Sequence, residues 1–169
     1  MAPKATVVKA ELQISDMDRH YYATHMLTLA QHPSETDERL EYGRGLSNEE
    51  EPDLWRRDYV GDIQLWIDLG QPDESRIKKA CGRAQQVVVI NYSGRAADIW
   101  WDRIASSLTR LKNLTVIDIP TDVVESLATL IQRGMRLNCL VQDGEMQLMS
   151  DTINVTLTPT VRMAAQPAG

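Results

Sequence analysis

Leu65-Trp66-Ile67-Asp68-Leu69-Gly70-Gln71-Pro72-Asp73-Glu74-Ser75-Arg76-Ile77-Lys78-Lys79-Ala80 is the stretch whose reading decides the fold. Its first half continues a strand that begins near Asp62. Ile63, Leu65, Ile67 and Leu69 alternate with Asp62, Gln64, Trp66 and Asp68, so one face suits a core and the other ends in a carboxylate. Gly70 and Pro72 end the strand. Pro at a first helical position, followed by Asp73 and Glu74, predicts a helix start, because unpaired amides and the positive end of the dipole favour acids there. Along that helix Ile77, Ala80, Cys81 and Ala84 form one apolar stripe, with Arg76 and Lys78 flanking it and Lys79 turned away. Lys78 is thereby expected to reach back toward Asp68. The plain alternative is that Asp68 ends a strand while Lys78 pairs with Glu74 at i, i+4.

Asp68 cannot hold a metal ion alone, and Asp62 is no help. The two share a face, but six residues at about 3.3 Å each place them roughly 20 Å apart, whereas an ion's oxygens sit about 2.0 to 2.6 Å from it. A partner carboxylate has to come from another element.

Outward from this stretch the chain alternates strands and helices. Val87 to Tyr92 is a continuous apolar run suited to a strand covered on both faces, so strand, helix and strand form a unit with a parallel pair. A helix from Arg95 to Leu111 carries Ala97, Trp100, Trp101, Ile104, Leu108 and Leu111 on one broad apolar face. A short strand at Leu114 to Ile119 and a helix at Thr121 to Gln132 follow. Asp143-Gly144 joins Leu137–Gln142 to Glu145–Met149 as a hairpin, both turn residues tolerating positive φ, and Ile153 to Thr158 adds a last strand. On the N-terminal side, residues 4 to 14 and 21 to 30 read as a hairpin through Ser15 to Arg19. Ser34 caps a short helix from Glu35, and Leu40 to Leu46 is a short strand whose glycines permit a bulge or close backbone approach. Pro52 fits an edge or the first residue of a strand.

Composition is that of one globular domain, at 43% hydrophobic and 25% charged residues over 169 positions, expected here over 1–163 with 164–169 as a disordered tail. No apolar run approaches the ~20 residues that span a bilayer, and the start of the chain lacks the apolar core of a signal peptide, so a cytoplasmic protein without a membrane partner is expected. Cys81 and Cys139 lie far apart and read as buried free thiols. His20, His25 and His32 lack zinc-ligand spacing, Gly43-Arg44-Gly45 lacks the helix and lysine of a phosphate loop, and no Gly-X-Ser-X-Gly elbow is present. A net charge of -6 argues against a generic nucleic-acid coat, leaving two local basic clusters, Arg76, Lys78, Lys79, Arg83 and Arg95, Arg103, Arg110, Lys112.

His32-Pro33-Ser34-Glu35-Thr36, Arg44-Gly45-Leu46, Leu65 to Gly70, Pro72-Asp73-Glu74, Arg76 to Ala80, Trp100-Trp101 and Gln142-Asp143-Gly144 together resemble the YaeQ family of bacterial proteins over nearly the whole chain. The resemblance implies an α/β fold of the PD-(D/E)XK, restriction-endonuclease-like type: a mixed sheet with a helix, three strands, a second helix and a fourth strand at its core, here with added N-terminal and C-terminal β-hairpins. It implies Pro52-Asp53 as the PD element, Asp68 as the second acid and Glu35 from the first core helix, with Lys78 as the ammonium and Lys79 less favoured. Such a site would bind Mg²⁺ through Asp53, Asp68 and Glu35 and act on the phosphodiesters of nucleic acid. The other expectation is a non-catalytic member that binds nucleic acid or a protein partner. Two departures stand out. Where the motif expects lysine two positions after the second acid, this chain has Gly70, and the apolar helical stretch expected between the Ser-Glu-Thr and Leu-Glu-Tyr segments is missing.

Overall fold

The parallel pair forms because two apolar runs flank a helix too short to do anything but return the chain. The structure, a computed structural model, describes residues 4–10, 40–43, 50–92, 94–130, 135–142, 145–149 and 154–166. It divides into two compact units, Met1–Asp37 with Ile119–Pro159 and Glu38–Asp118 with Thr160–Gly169, where the sequence reading expects one domain over 1–163.

The second unit holds the decisive stretch. Its six-stranded mixed sheet comprises β2 (Leu40–Tyr42), β3 (Leu54–Arg57), β4 (Ile63–Leu69), β5 (Ala84–Asn91), β6 (Leu114–Asp118) and β10 (Thr160–Met163), in the order β10-β6-β5-β4-β3-β2. β4, β5 and β6 run parallel, while β3 pairs antiparallel with β4 and with β2, and β10 pairs antiparallel with β6. Helix α1 (Glu74–Arg83) links β4 to β5 and α2 (Arg95–Leu108) links β5 to β6.

β4 is buried on both faces, not on the one that alternation suggests. Trp66 and Asp68 are each 1% exposed, as covered as Ile67 and Leu69 opposite. Trp66 joins Trp55, Val87, Val89, Leu114 and Val116 in a layer under Ile77 and Ala80 of α1 and Trp100 and Leu108 of α2. Burying an aromatic or branched side chain of this kind is worth roughly 1.5–3 kcal/mol. Trp55 and Trp66 stand opposite each other in the β3–β4 ladder, their rings 6.3 Å apart and edge to face. The apolar stripe of α1 is as the spacing predicts, with Cys81 half-buried beside it; burial pushes its thiol up to about 11. The start of α1 differs by one step. Asp73 is the cap, its carboxylate accepting from the Arg76 amide at 2.8 Å, and Pro72 lies just ahead of it. At the other end Asn113 donates its side-chain amide to the carbonyls of Cys81 and Ala84, at 2.9 and 3.0 Å, which satisfies orphan acceptors of the last turn.

The first unit carries β1 (Lys4–Ala10), β7 (Met135–Gln142), β8 (Glu145–Met149) and β9 (Asn154–Leu157) in the order β1-β7-β8-β9, all antiparallel, with helix α3 (Thr121–Leu130). Gln142 faces Glu145, as a two-residue Asp143-Gly144 connection requires. The N-terminal strand pairs with β7 over seven residues; the expected hairpin partner, 21–30, and the expected helix from Glu35 lie outside the described residues. β10 escaped the sequence reading, and residues 164–166 behind it are held. Ala165 donates to the Thr115 hydroxyl at 3.2 Å and Gln166 to the Lys112 carbonyl at 2.8 Å, where the sequence predicts a disordered tail. No helix among the described residues is long and apolar enough to cross a membrane.

Candidate functional site

The register of β3 against β4 decides where the acids meet. Trp55 faces Trp66 and Leu54 faces Ile67, so the next step along the ladder brings Asp53 level with Asp68, and residues directly opposite on neighbouring strands hold their Cβ atoms about 4.5–5.5 Å apart. Asp53 Oδ2 accepts the Leu69 amide at 2.7 Å, tying the first carboxylate to the strand end that bears the second. The approach to β3 is fixed by Gly43, whose amide donates to the Asp53 carbonyl at 2.9 Å. A Cβ at Gly43 would meet the Pro52 carbonyl oxygen at 2.0 Å, so only glycine permits this contact, the close approach foreseen for the segment. Asp53 and Asp68 are each 1% exposed.

A charge buried this far needs a partner, and Arg76 supplies it. Its Nε donates to Asp68 Oδ2 at 2.8 Å and its Nη2 to Asp68 Oδ1 at 3.1 Å, the two-pronged geometry that makes arginine the preferred partner of a carboxylate. Nη2 also donates to the Glu51 carbonyl at 2.8 Å, and the guanidinium carbon lies 5.5 Å from the centre of the Trp66 ring. Burial works against the guanidinium's charge, yet its hydrogen bonds to Asp68 and the fields of Asp68, Asp53 and Asp73 together raise its pKa. Both acids therefore act on one cation.

Lys78 is elsewhere. Its Nζ lies 2.7 Å from Glu74 Oε1 on the solvent side of α1, the i, i+4 pairing. Lys79 and Arg83 face Glu50, at 3.9 and 3.6 Å. The basic cluster of α1 is thus matched, residue by residue, with acids. Arg95, Arg103, Arg110 and Lys112 make no ion pair among the described residues, and Arg103 borders a cleft of about 420 Å³ with Gln71, Asp73, Glu74, Ile99 and Trp100. Gly70, where the nuclease motif has lysine, sits at φ 103° with its amide on the Ile90 carbonyl at 2.8 Å. A side chain is strained in that conformation, which suits glycine at this strand end. Glu35 lies outside the described residues.

The donors are right in kind for Mg²⁺, being hard carboxylate oxygens. A cation already sits against them in the form of the guanidinium, which shows that the pocket favours positive charge. Among the described residues, however, no three Asp, Glu, His or Cys side chains come together as a ligand set. Asp53 and Asp68 are two.

Sequence reasoning missed Arg76 as the partner of Asp68, and a second cluster entirely. Arg162 on β10 bridges Asp98 of α2 and Asp118 of β6, its Nε donating to Asp118 Oδ2 at 2.6 Å, and these acids raise its pKa. Asn91, opposite Asp118 on β5, is 1% exposed with neither side-chain polar atom hydrogen-bonded. Pro159 ahead of an alternating Thr-Val-Arg-Met run was the available signal for β10.

Comparison with known proteins finds one family. The model of the YaeQ protein family matches residues 1–159. An uncharacterised YaeQ protein of Escherichia coli K12 is 40% identical over 176 residues, covering 95% of this chain and 97% of that protein, and its counterpart in Salmonella typhi is 41% identical over the same span. Those alignments run over more positions than this chain has residues, so they contain gaps. The crystal structure of a YaeQ protein from Xanthomonas axonopodis pv. citri is 48% identical and covers 97% of this chain and all of that one, with a TM-score of 0.81. One from Pseudomonas syringae, 22% identical with a TM-score of 0.78 over 95% and 97%, shares the fold.

Proposed function

Since the chain belongs to the YaeQ family, we propose that it has a core of the PD-(D/E)XK type and is a Mg²⁺-dependent, nuclease-like protein acting on nucleic-acid phosphodiesters. In this reading the β3-β4-α1-β5 unit is the restriction-endonuclease-like core. Asp53 and Asp68 are metal ligands and Glu35 is the third acid. One observation carries the reading: two carboxylates, one just ahead of β3 and one on β4, are buried, and the fields of both act on one guanidinium that Asp68 grips directly. Mg²⁺ bound there would polarise the phosphodiester and lower the pKa of an attacking water. The chain's own part is to orient the ligands. The Leu69 amide holds Asp53 and Gly43 holds the strand approach, while Trp66 excludes water from one side. Lys78 would have to leave Glu74 to serve as the stabilising ammonium.

A second reading has its own observation. Both oxygens of Asp68 are engaged by Arg76, the arrangement of a structural clasp in a non-catalytic member that binds nucleic acid or a protein. Incubation with plasmid, single-stranded DNA and RNA in the presence of Mg²⁺ or Mn²⁺ separates the two. The nuclease reading expects cleavage that Asp68→Asn reduces by at least about a hundredfold; no cleavage by the wild type, or equal cleavage by both, leaves the binding reading.

A further inference from the structure

Arg95, Arg103, Arg110 and Lys112 are exposed and make no ion pair among the described residues, whereas Lys78, Lys79 and Arg83 of α1 each face an acid. Arg95, Ile99 and Arg103 stand at i, i+4 and i+8, so they follow one line along α2, on the side away from its buried Ala97, Trp100 and Leu108. Arg110 and Lys112 lie just past its C-terminal end. Beside this line a cleft of about 420 Å³ opens between the starts of α1 and α2. Ile99, 47% exposed, forms an apolar wall with Trp100, Arg103 borders the opening and Gln71 lines the α1 side. The Trp100 indole donates to the Pro72 carbonyl at 2.7 Å, which ties the two walls together. We propose that this face of α2 is a binding track for single-stranded nucleic acid: phosphates follow the four cations, and an unstacked base enters the cleft. The proposal rests on the nucleic-acid reading above but not on its metal site, and it names the kind of strand and the surface that holds it.

A net charge of -6 does not oppose this local patch, because at 0.1 M salt charges more than about 10 Å away are largely screened. The acids nearest the track are mostly spent. Asp98 is held by Arg162 and Glu74 by Lys78, while Asp73 accepts the Arg76 amide at the positive end of α1. On α2 that leaves Asp102, exposed and without an ion pair among the described residues, as the acid that offsets part of the positive charge. Arg95 and Arg103 are about 12 Å apart at 1.5 Å per residue, so a polyanion meets both by running along the helix. The cleft decides which polyanion fits. Its volume is within the roughly 300–1,000 Å³ of small-ligand sites, and its wall is apolar, which suits a base freed from its stack. The amide of Gln71 can donate to and accept from the edge of that base. A duplex keeps its bases paired and stacked and leaves the cleft unused, as does an acidic protein held by the arginines alone.

The test is fluorescence anisotropy of labelled oligothymidylate and oligouridylate, in EDTA and low salt, with the wild type, Arg95→Ser, Arg103→Ser, Ile99→Asp, Asp102→Asn and Lys79→Ser. The wild type should bind the single strands with an affinity that falls as salt rises. Each arginine variant should bind several-fold more weakly and lower the slope of log affinity against log salt by about 0.7. Ile99→Asp should lose about tenfold through the base, Asp102→Asn should bind more tightly, and Lys79→Ser, from the matched cluster, should equal the wild type. All five side chains are exposed, and a gain in Asp102→Asn is not an effect that misfolding can produce. No binding by the wild type, or a loss in Lys79→Ser as large as in Arg103→Ser, overturns the track. So does equally tight binding of a duplex, and displacement of the strand by polyglutamate as effectively as by unlabelled strand would assign the face to an acidic polypeptide instead. Adding Mg²⁺ separates this proposal from the reading it rests on. Cleavage that the arginine variants leave untouched removes the track and keeps the nuclease reading; metal-free binding through these arginines with no cleavage keeps the track and removes the nuclease chemistry.

Discussion

Helix α1 carries two ion pairs of nearly equal length and very different character. Arg76 reaches Asp68 at 2.8 Å with side chains 10% and 1% exposed, whereas Lys78 reaches Glu74 at 2.7 Å with side chains 50% and 39% exposed. The distances say nothing about worth. The exposed pair trades water for a weak, screened attraction. The buried pair has lost most of its water on both sides, so removing one partner leaves the other's charge stranded.

Deleting half of the buried pair gives the largest effect. Asp68→Ala should destabilise the protein by about 3–5 kcal/mol, as expected for an arginine left unpaired in a covered site, measured by urea denaturation. The double variant Asp68→Leu with Arg76→Leu should cost less than Asp68→Ala alone, because no charge is then stranded. A double variant as unstable as the sum of the two singles would show that the pair acts through something besides mutual neutralisation. Gly70→Lys asks whether a cation placed two residues after the acid, as in the nuclease motif, fits this backbone. At φ 103° a side chain should cost about 1–3 kcal/mol, and a neutral result would mean the strand end relaxes to admit it.

The two pairs also mark what can be read from sequence. Glu74 and Lys78 are four apart on one helix, so their meeting follows from helical geometry alone, and the structure shows it. Asp68 and Arg76 are eight apart across a strand, a turn and a cap, and no single period relates them. The stripe argument put Arg76 and Lys78 on its two flanks and could not rank them. What ranks them is direction: the helix climbs away from the strand end at 1.5 Å per residue and its Cβ atoms lean back toward its start, so the earlier residue is nearer. The same contrast runs through the fold. The β4-α1-β5 unit and the Asp143-Gly144 hairpin were legible because each is set by local pattern. The second buried face of β4 and the pairing of β10 with β6 were not, since burial of Trp66 and Asp68 depends on Trp55, α1 and α2 arriving from elsewhere, and β10 is a short edge strand with two exposed residues. Of the candidate site, Asp53 and Asp68 came through the family resemblance, and the ladder register supplies the geometry that joins them.

The smallest effect belongs to Lys78→Ala, and pH gives it a sign. The hydrogen bond and charge of Lys78 lower the pKa of Glu74 from its ordinary 4.5. A carboxylate whose folded value is depressed contributes stability above its unfolded value and loses it as pH falls through the folded one. The melting temperatures of wild type and Lys78→Ala should therefore differ slightly at pH 7 in low salt, converge when salt is raised, and coincide once pH has fallen far enough to protonate Glu74 in both. A large difference at pH 7 that survives high salt would mean that Lys78 faces something other than Glu74 in solution, and the division of α1 into one buried and one exposed pair would fail.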